Sequence, residues 1–167
     1  MKRTLFGICV AASLFSPNVS SGQGNPTNCQ NVAGQAQFIL IPAPNDPFGR
    51  ILGPATGSLR AAITAIVTNL TFRPDGAIDA TSVEQWVMNE RDQLTFNGRA
   101  TFTPVPGQPV GTVSDQLTLT VAGGLGEFEG ATGRIDVTGT GYNLFGPDAG
   151  PGKTYFQVSY SGSICRR

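Results

Sequence analysis

Apolar and polar residues alternate with a period of two through run after run of this chain, and glycine, proline or aspartate closes each run. That period places successive side chains on opposite faces of a strand, so each run reads as a half-buried β-strand. Residues 35–41 (QAQFILI) form the first, stopped by a proline-rich segment at 42–54. Residues 59–72 (LRAAITAIVTNLTF) are apolar on both faces and dense in β-branched side chains. Arg73-Pro74-Asp75-Gly76 then turns the chain, because proline presets φ at the second position while Asp and Gly tolerate the turn conformations after it. Over 94–102, Leu94, Phe96, Ala100 and Phe102 share one side, with Gln93, Thr95, Asn97, Arg99 and Thr101 opposite. After an irregular link at 104–109, residues 115–121 turn Leu117, Leu119 and Val121 inward and Gln116, Thr118 and Thr120 outward. Runs at 134–142 and 154–164 complete the set, the last with Phe156, Val158, Tyr160 and Ile164 in phase.

Residues 80–90 (ATSVEQWVMNE) fit two periods. Thr81 and Glu84 have the spacing of a capping box, with Val83, Trp86, Val87 and Glu90 at helical intervals. The same residues make a strand with Val83, Gln85 and Val87 on one face. The strand is the better fit, since a helix amid so much sheet needs a cover for its apolar face. Seven or eight short strands, with glycine about twice as frequent as usual, predict an all-β antiparallel barrel or sandwich. A barrel has no sheet edge to protect.

The N-terminus reads as a targeting segment. Lys2 and Arg3 precede an apolar run, 5–15 (LFGICVAASLF), too short to span a bilayer; Pro17 breaks it and Val19-Ser20-Ser21 offers small residues for cleavage before Gly22. Cys9 lies inside the apolar run, which disfavours a lipoprotein signal. The expected organisation is a secretory signal peptide at 1–21, an N-terminal segment at 22–34 and one barrel domain at 35–167, in a secreted or periplasmic protein. Without residues 1–21, nine basic residues face eleven acidic ones. A net charge near −2 offers no attraction for nucleic acid or an anionic membrane, and no later stretch is apolar enough for a membrane span. Cys29 and Cys165 remain, near the two ends. In an oxidising compartment they are expected to form a disulfide, which would make the termini neighbours.

Glycine is densest at Gly123, Gly124, Gly126, Gly130 and Gly133. A dinucleotide cradle there would need a following helix whose N-terminus faces phosphate. A strand comes next instead, and Glu127 and Glu129 would repel the ligand. A turn explains the glycines better: they permit positive φ and close backbone approach, and Phe128 can fold back beneath as an apolar plug. The stretch GGLGEFEGATG, 123–133, resembles the GGTGxFxxAxG segment of allene oxide cyclases and dirigent proteins, and more closely the GGTGxFxGATG form in small secreted bacterial proteins with that barrel. Gly123, Gly124, Gly126, Phe128, Ala131 and Gly133 fall on the motif; Leu125 departs from it, standing where Thr is usual. The resemblance implies an eight-stranded antiparallel β-barrel of calycin type with an apolar central cavity. It also implies chemistry that needs no cofactor, and dimers or trimers are common among such proteins.

Histidine is absent from the sequence, which excludes Ser-His-Asp, Cys-His and histidine-ligated metal sites. Two mature cysteines are too few for a thiolate zinc site, so neither a metal nor another cofactor is expected. Asp115 shares the inward phase of Leu117, Leu119 and Val121, and an acid against an apolar lumen has a raised pKa suited to proton transfer; a solvated strand-end position is the competing reading. Tyr160 is the second catalytic candidate, its hydroxyl offered to a ligand or else satisfied within the core. Glu84 beside Trp86 has the acid-against-aromatic arrangement that raises a carboxyl pKa. Arg99 and Arg134 lie on the outward phase, and Asn69-Leu70-Thr71 is a glycosylation sequon. Phe96, Phe102, Leu117, Leu119, Phe156 and Val158 are expected to line a ligand site.

Two functional classes remain. In one, the barrel holds a small apolar molecule without turnover. In the other, as the resemblance implies, the cavity folds a reactive substrate and steers its cyclisation or coupling by confinement, as a cofactor-free isomerase or cyclase. A third reading is a structural or interaction protein whose large inward residues fill the barrel completely.

Overall fold

A computed structural model describes residues 28–44 and 48–167; the signal-peptide expectation at 1–21 lies outside them. The strands are β1 (Asn28–Ile41), β2 (Arg50–Gly57), β3 (Ala61–Phe72), β4 (Ile78–Val87), β5 (Gln93–Pro104), β6 (Val113–Leu125), β7 (Thr132–Tyr142) and β8 (Tyr155–Arg166). Each pairs antiparallel with its sequence neighbour, and β1 pairs with β8 to close a barrel of eight strands. The barrel alternative is therefore the one adopted. Its seam runs without interruption from Asn28 opposite Arg166 to Ile39 opposite Tyr155.

Strand β1 begins at Asn28, so residues 28–34 belong to the barrel and not to a separate N-terminal segment. They carry Cys29, which lies opposite Cys165 and forms the expected disulfide across the seam. Strand β2 lies largely inside the segment read as a proline-rich link. Pro54 is tolerated because β1 and β2 pair at Ala36–Ala55 and again at Ile39–Leu52 but not between, so its missing N–H costs no bond on that side. Residues 80–90 resolve as strand over Ile78–Val87, with Val83 and Val87 facing outward and Glu84 and Trp86 inward. Burying the indole decides the face: Trp86 is among the largest fully buried side chains.

The turn after β3 forms as its chemistry dictates, with Gly76 at positive φ and its N–H donated to the Arg73 carbonyl. The glycine-rich stretch closes the β6–β7 connection. Ala122 has no partner where β5 passes from Thr95 to Phe96, a bulge that bends the strand just before Gly123. Gly126–Phe128 then make one 3-10 turn, started by Leu125 without any side-chain cap, and Phe128 plugs the barrel as expected. Two glycines are structurally required. Gly126 has φ of 64° beside Arg91 and Asp92, and a Cβ on Gly124 would strike Phe128. Asp92, from the β4–β5 loop, anchors the turn by accepting the Glu127 N–H at 3.0 Å and the Asn89 amide at 2.6 Å. Those bonds, the Glu127 one foremost, hold the Asp92 carboxyl below its usual pKa. The Arg166 guanidinium covers the Phe128 ring at 4.6 Å and pairs with Glu127 at 2.7 Å.

Two losses of stability are expected in urea unfolding. Phe128→Ala leaves a cavity in a packed end and should cost about 3–5 kcal/mol. Replacing Cys29 and Cys165 together by alanine releases a loop of 136 residues' separation. That change should cost about 2–5 kcal/mol while the barrel's circular dichroism is retained.

Candidate functional site

The barrel interior divides by side-chain size. At the end plugged by Phe128, Trp86 meets Phe96 and Tyr160 edge-on, with ring centroids 5.5 and 5.2 Å apart, and Leu94, Leu119 and Ile135 fill the remaining space. At the other end β3, β4 and β5 present Ala65, Ala80 and Ala100, and the space their methyl groups leave is a cavity of about 40 Å³. One ordered water needs roughly 10–15 Å³ on this scale, so the cavity admits about three waters or one small head group. Phe38, Phe102 and Phe156 supply aromatic walls, the last two with centroids 5.8 Å apart. Ile51, Val67, Ala100, Phe102 and Leu117 are only half-buried, which leaves the cavity open to solvent on their side.

The polar lining side chains are Ser82, Glu84 and Asp115. Asp115 is 4 % exposed, paired in register with Phe102. Its Oδ1 is buried without a hydrogen-bond partner among the described residues. Burial pushes its pKa up to about 7, and the charge of Glu84 adds to the rise. Glu84 is 5 % exposed. Its Oε2 accepts the Trp86 indole N–H at 3.1 Å, and its Oε1 accepts the Ser82 hydroxyl at 3.4 Å. Both bonds favour the ionised carboxyl, yet burial outweighs them and raises its pKa to about 7. Among the described residues no lysine or arginine lines the cavity, so neither acid has a neutralising partner there. Near neutrality each acid can therefore donate or accept a proton, and loss of one proton makes loss of the second harder.

Tyr160 occupies a different place from Asp115. Its hydroxyl accepts the Leu59 N–H at 3.0 Å and lies within donating distance of the carbonyls of Thr56 at 2.9 Å and Leu59 at 3.1 Å, tying β8 to the β2–β3 connection. It is the satisfied core tyrosine, held above its usual pKa chiefly by burial, and it does not line the cavity. Of the expected ligand-site residues, Phe102, Leu117 and Phe156 line it, whereas Phe96, Leu119 and Val158 belong to the packed core. Glu84 lines the same cavity as Asp115, and the signal for it is its position two residues before Trp86: in a strand the two share a face. The three alanines carry no such signal: Ala80 meets Ala100 only through the strand register, and Ala65, opposite Glu84, joins them only in the cavity lining. Arg99 and Arg134 face outward, Arg134 paired with Asp136 at 2.7 Å, and Asn69 is exposed. Among the described residues, no group of His, Cys, Asp and Glu is arranged to hold a metal ion and no helix is long and apolar enough to cross a membrane.

The two acids should set the pH dependence of stability. Their folded pKa values lie above the unfolded ones, so the native state binds protons more tightly, and stability falls as pH rises from about 4 to about 7 and is level above. Each shift corresponds to a loss on the order of 3 kcal/mol. Urea unfolding across pH 4 to 8 should show the decline in the wild type, and Glu84→Gln with Asp115→Asn should flatten it, raising stability at pH 8. An unchanged profile in the double variant would assign the decline elsewhere.

Comparison of the chain with protein-family models, with curated proteins and with solved structures finds no match in any of the three.

Proposed function

We propose that this is a secreted or periplasmic barrel that takes a small, mostly apolar molecule end-on into its lumen, where the molecule's polar end meets Asp115 and Glu84. The observation that carries this reading is the unpartnered, buried Oδ1 of Asp115 in the wall of a partly open, otherwise apolar cavity. An unmade hydrogen bond in such a place costs about 1–3 kcal/mol, and a ligand's polar group would recover it. The cavity's size restricts what enters fully to a slender group; bulk beyond that stays at the mouth, against Ile51, Val67 and Leu117. The signal-like N-terminus and the Cys29–Cys165 bridge support an oxidising compartment.

A second reading, turnover, is favoured by the pair of acids with pKa values of about 7 at one cavity. Such a pair supplies a proton donor and acceptor at neutral pH, and confinement sets the geometry of a bound substrate. Cyclisation or isomerisation of the kind implied by the likeness to allene oxide cyclases and dirigent proteins needs little more. The reading of a filled, purely structural barrel draws on the packed Trp86 and Phe128 end.

Native mass spectrometry of the protein, gently purified from its own secreting host, tests the proposal. A discrete small molecule should be retained, and Ala100→Phe, which fills the cavity at a folding cost of about 1–3 kcal/mol, should abolish retention with the circular dichroism unchanged. A clean apo mass would favour the filled structural barrel.

A further inference from the structure

We infer that the polar end of the lumen ligand is a cation, and that the cavity is a site for a primary alkylammonium, its head group between Asp115, Glu84 and Ser82 and its unbranched tail along Phe102 and Leu117 towards the opening. This rests on the lumen-binding proposal and deepens it by naming the ligand class.

Charge is the first indication. β1, β2, β3, β5 and β8 face the cavity with apolar side chains, β4 adds Glu84 and Ser82, and β6 adds Asp115, so among the described residues the titratable groups facing it are the two acids alone. A neutral oxygen on a ligand could be met by one hydroxyl at far lower cost of burial. Two carboxyls without a cation suit a ligand that brings the positive charge itself, since a buried acid pair is stabilised by an opposite charge and otherwise kept protonated by burial. Geometry agrees. A primary ammonium has three N–H donors, and the cavity offers acceptors at Asp115, where Oδ1 is unpartnered, at Glu84 and at the Ser82 hydroxyl. Phe38, Phe102 and Phe156 line the same cavity, and aromatic faces attract a cation that has left water. Size selects among amines. A cavity of about 40 Å³ accepts an ammonium, comparable in bulk to one water, and a methylene or two. Trimethylammonium and branched amines would need the aromatic wall to move.

Both acids ionise on binding, so the complex forms by proton release and its affinity rises with pH through the range in which the free pair titrates. The amine itself stays protonated to about pH 10, so it does not limit the effect below pH 9.

The test is calorimetric titration of the intact protein with n-butylammonium and, in parallel, 1-butanol, at pH 5 and pH 8, with methyl NMR of Ile63 and Leu117 to locate the site. The expected result is binding of n-butylammonium at pH 8 that weakens at least tenfold at pH 5. It should release protons, detected as a binding heat that varies with the buffer, and weaken at least tenfold in Asp115→Asn and in Glu84→Gln. Both replacements keep side-chain shape and remove an uncompensated acid, and circular dichroism checks their fold; the wild-type pH profile stands without them. Binding of 1-butanol with none of n-butylammonium would overturn the cation and leave the lumen proposal standing. Binding of neither would overturn both. Binding of n-butylammonium that ignores pH and both variants, or that leaves the Ile63 and Leu117 methyls unmoved, would overturn the assignment of the site.

Discussion

Closure of the sheet between β1 and β8 is the constraint on which everything else rests. Once the first and last strands pair, no backbone edge is left to protect, and every second residue of every strand must be accommodated inside one narrow tube. An eight-stranded barrel is just wide enough for its own side chains, so residue size at each inward position decides whether a level of the tube is solid or hollow. Trp86, Phe96, Phe128 and Tyr160 make one end solid, and Ala65, Ala80 and Ala100 leave the other hollow. The Cys29–Cys165 bridge lies in the seam at the solid end, where it holds together the two strands most distant in sequence without intruding on the hollow.

The hollow end works against stability. Two acids held in an apolar lumen oppose folding at neutral pH, and no basic side chain lining the cavity offsets them among the described residues. Isosteric amides would fit the same space without that cost. Perturbed carboxyls in a concave site are the pattern expected where a protein gives up stability for recognition or proton transfer. Glu84 is partly satisfied by Trp86 and Ser82, whereas Asp115 Oδ1 is not, so the two differ in what they offer: Glu84 is fixed in place and Asp115 is available to a ligand.

Much of the barrel was legible in the residues because alternation and turn chemistry are local. The runs at 94–102, 115–121 and 154–164 kept their predicted faces, and Phe128 went under its turn. Strand β2 was hidden, since Gly53, Pro54 and Gly57 interrupt alternation and only the lapse in pairing with β1 makes Pro54 acceptable. The face of β4 is also ambiguous locally: a strand puts Val83 and Val87 on one face and Glu84 and Trp86 on the other without saying which is inside, but one buried indole outweighs two exposed valines, and Glu84 is carried inward with it. Inward orientation of Asp115 came from phase alone. Its sharing of a cavity with Glu84 did not, because the two stand opposite different β5 residues, Asp115 beside Phe102 and Glu84 beside Phe96, and only closure of the barrel turns both towards one lumen. Phase likewise grouped Phe96 and Leu119 with Phe102 and Leu117, although depth along the barrel separates packed core from cavity wall.

The pH behaviour and the cation site proposed for the lumen need two carboxyls poised near neutrality inside it. Carbon-detected NMR titration of the Glu84 and Asp115 side-chain carboxyls, assigned through Glu84→Gln and Asp115→Asn, measures this directly. Midpoints of about 7, with the Asp115 midpoint falling when Glu84 becomes neutral, are the result that burial and mutual repulsion predict. Midpoints near those of free aspartate and glutamate, each indifferent to loss of the other, would mean that water reaches both acids freely and that the lumen is not apolar in solution.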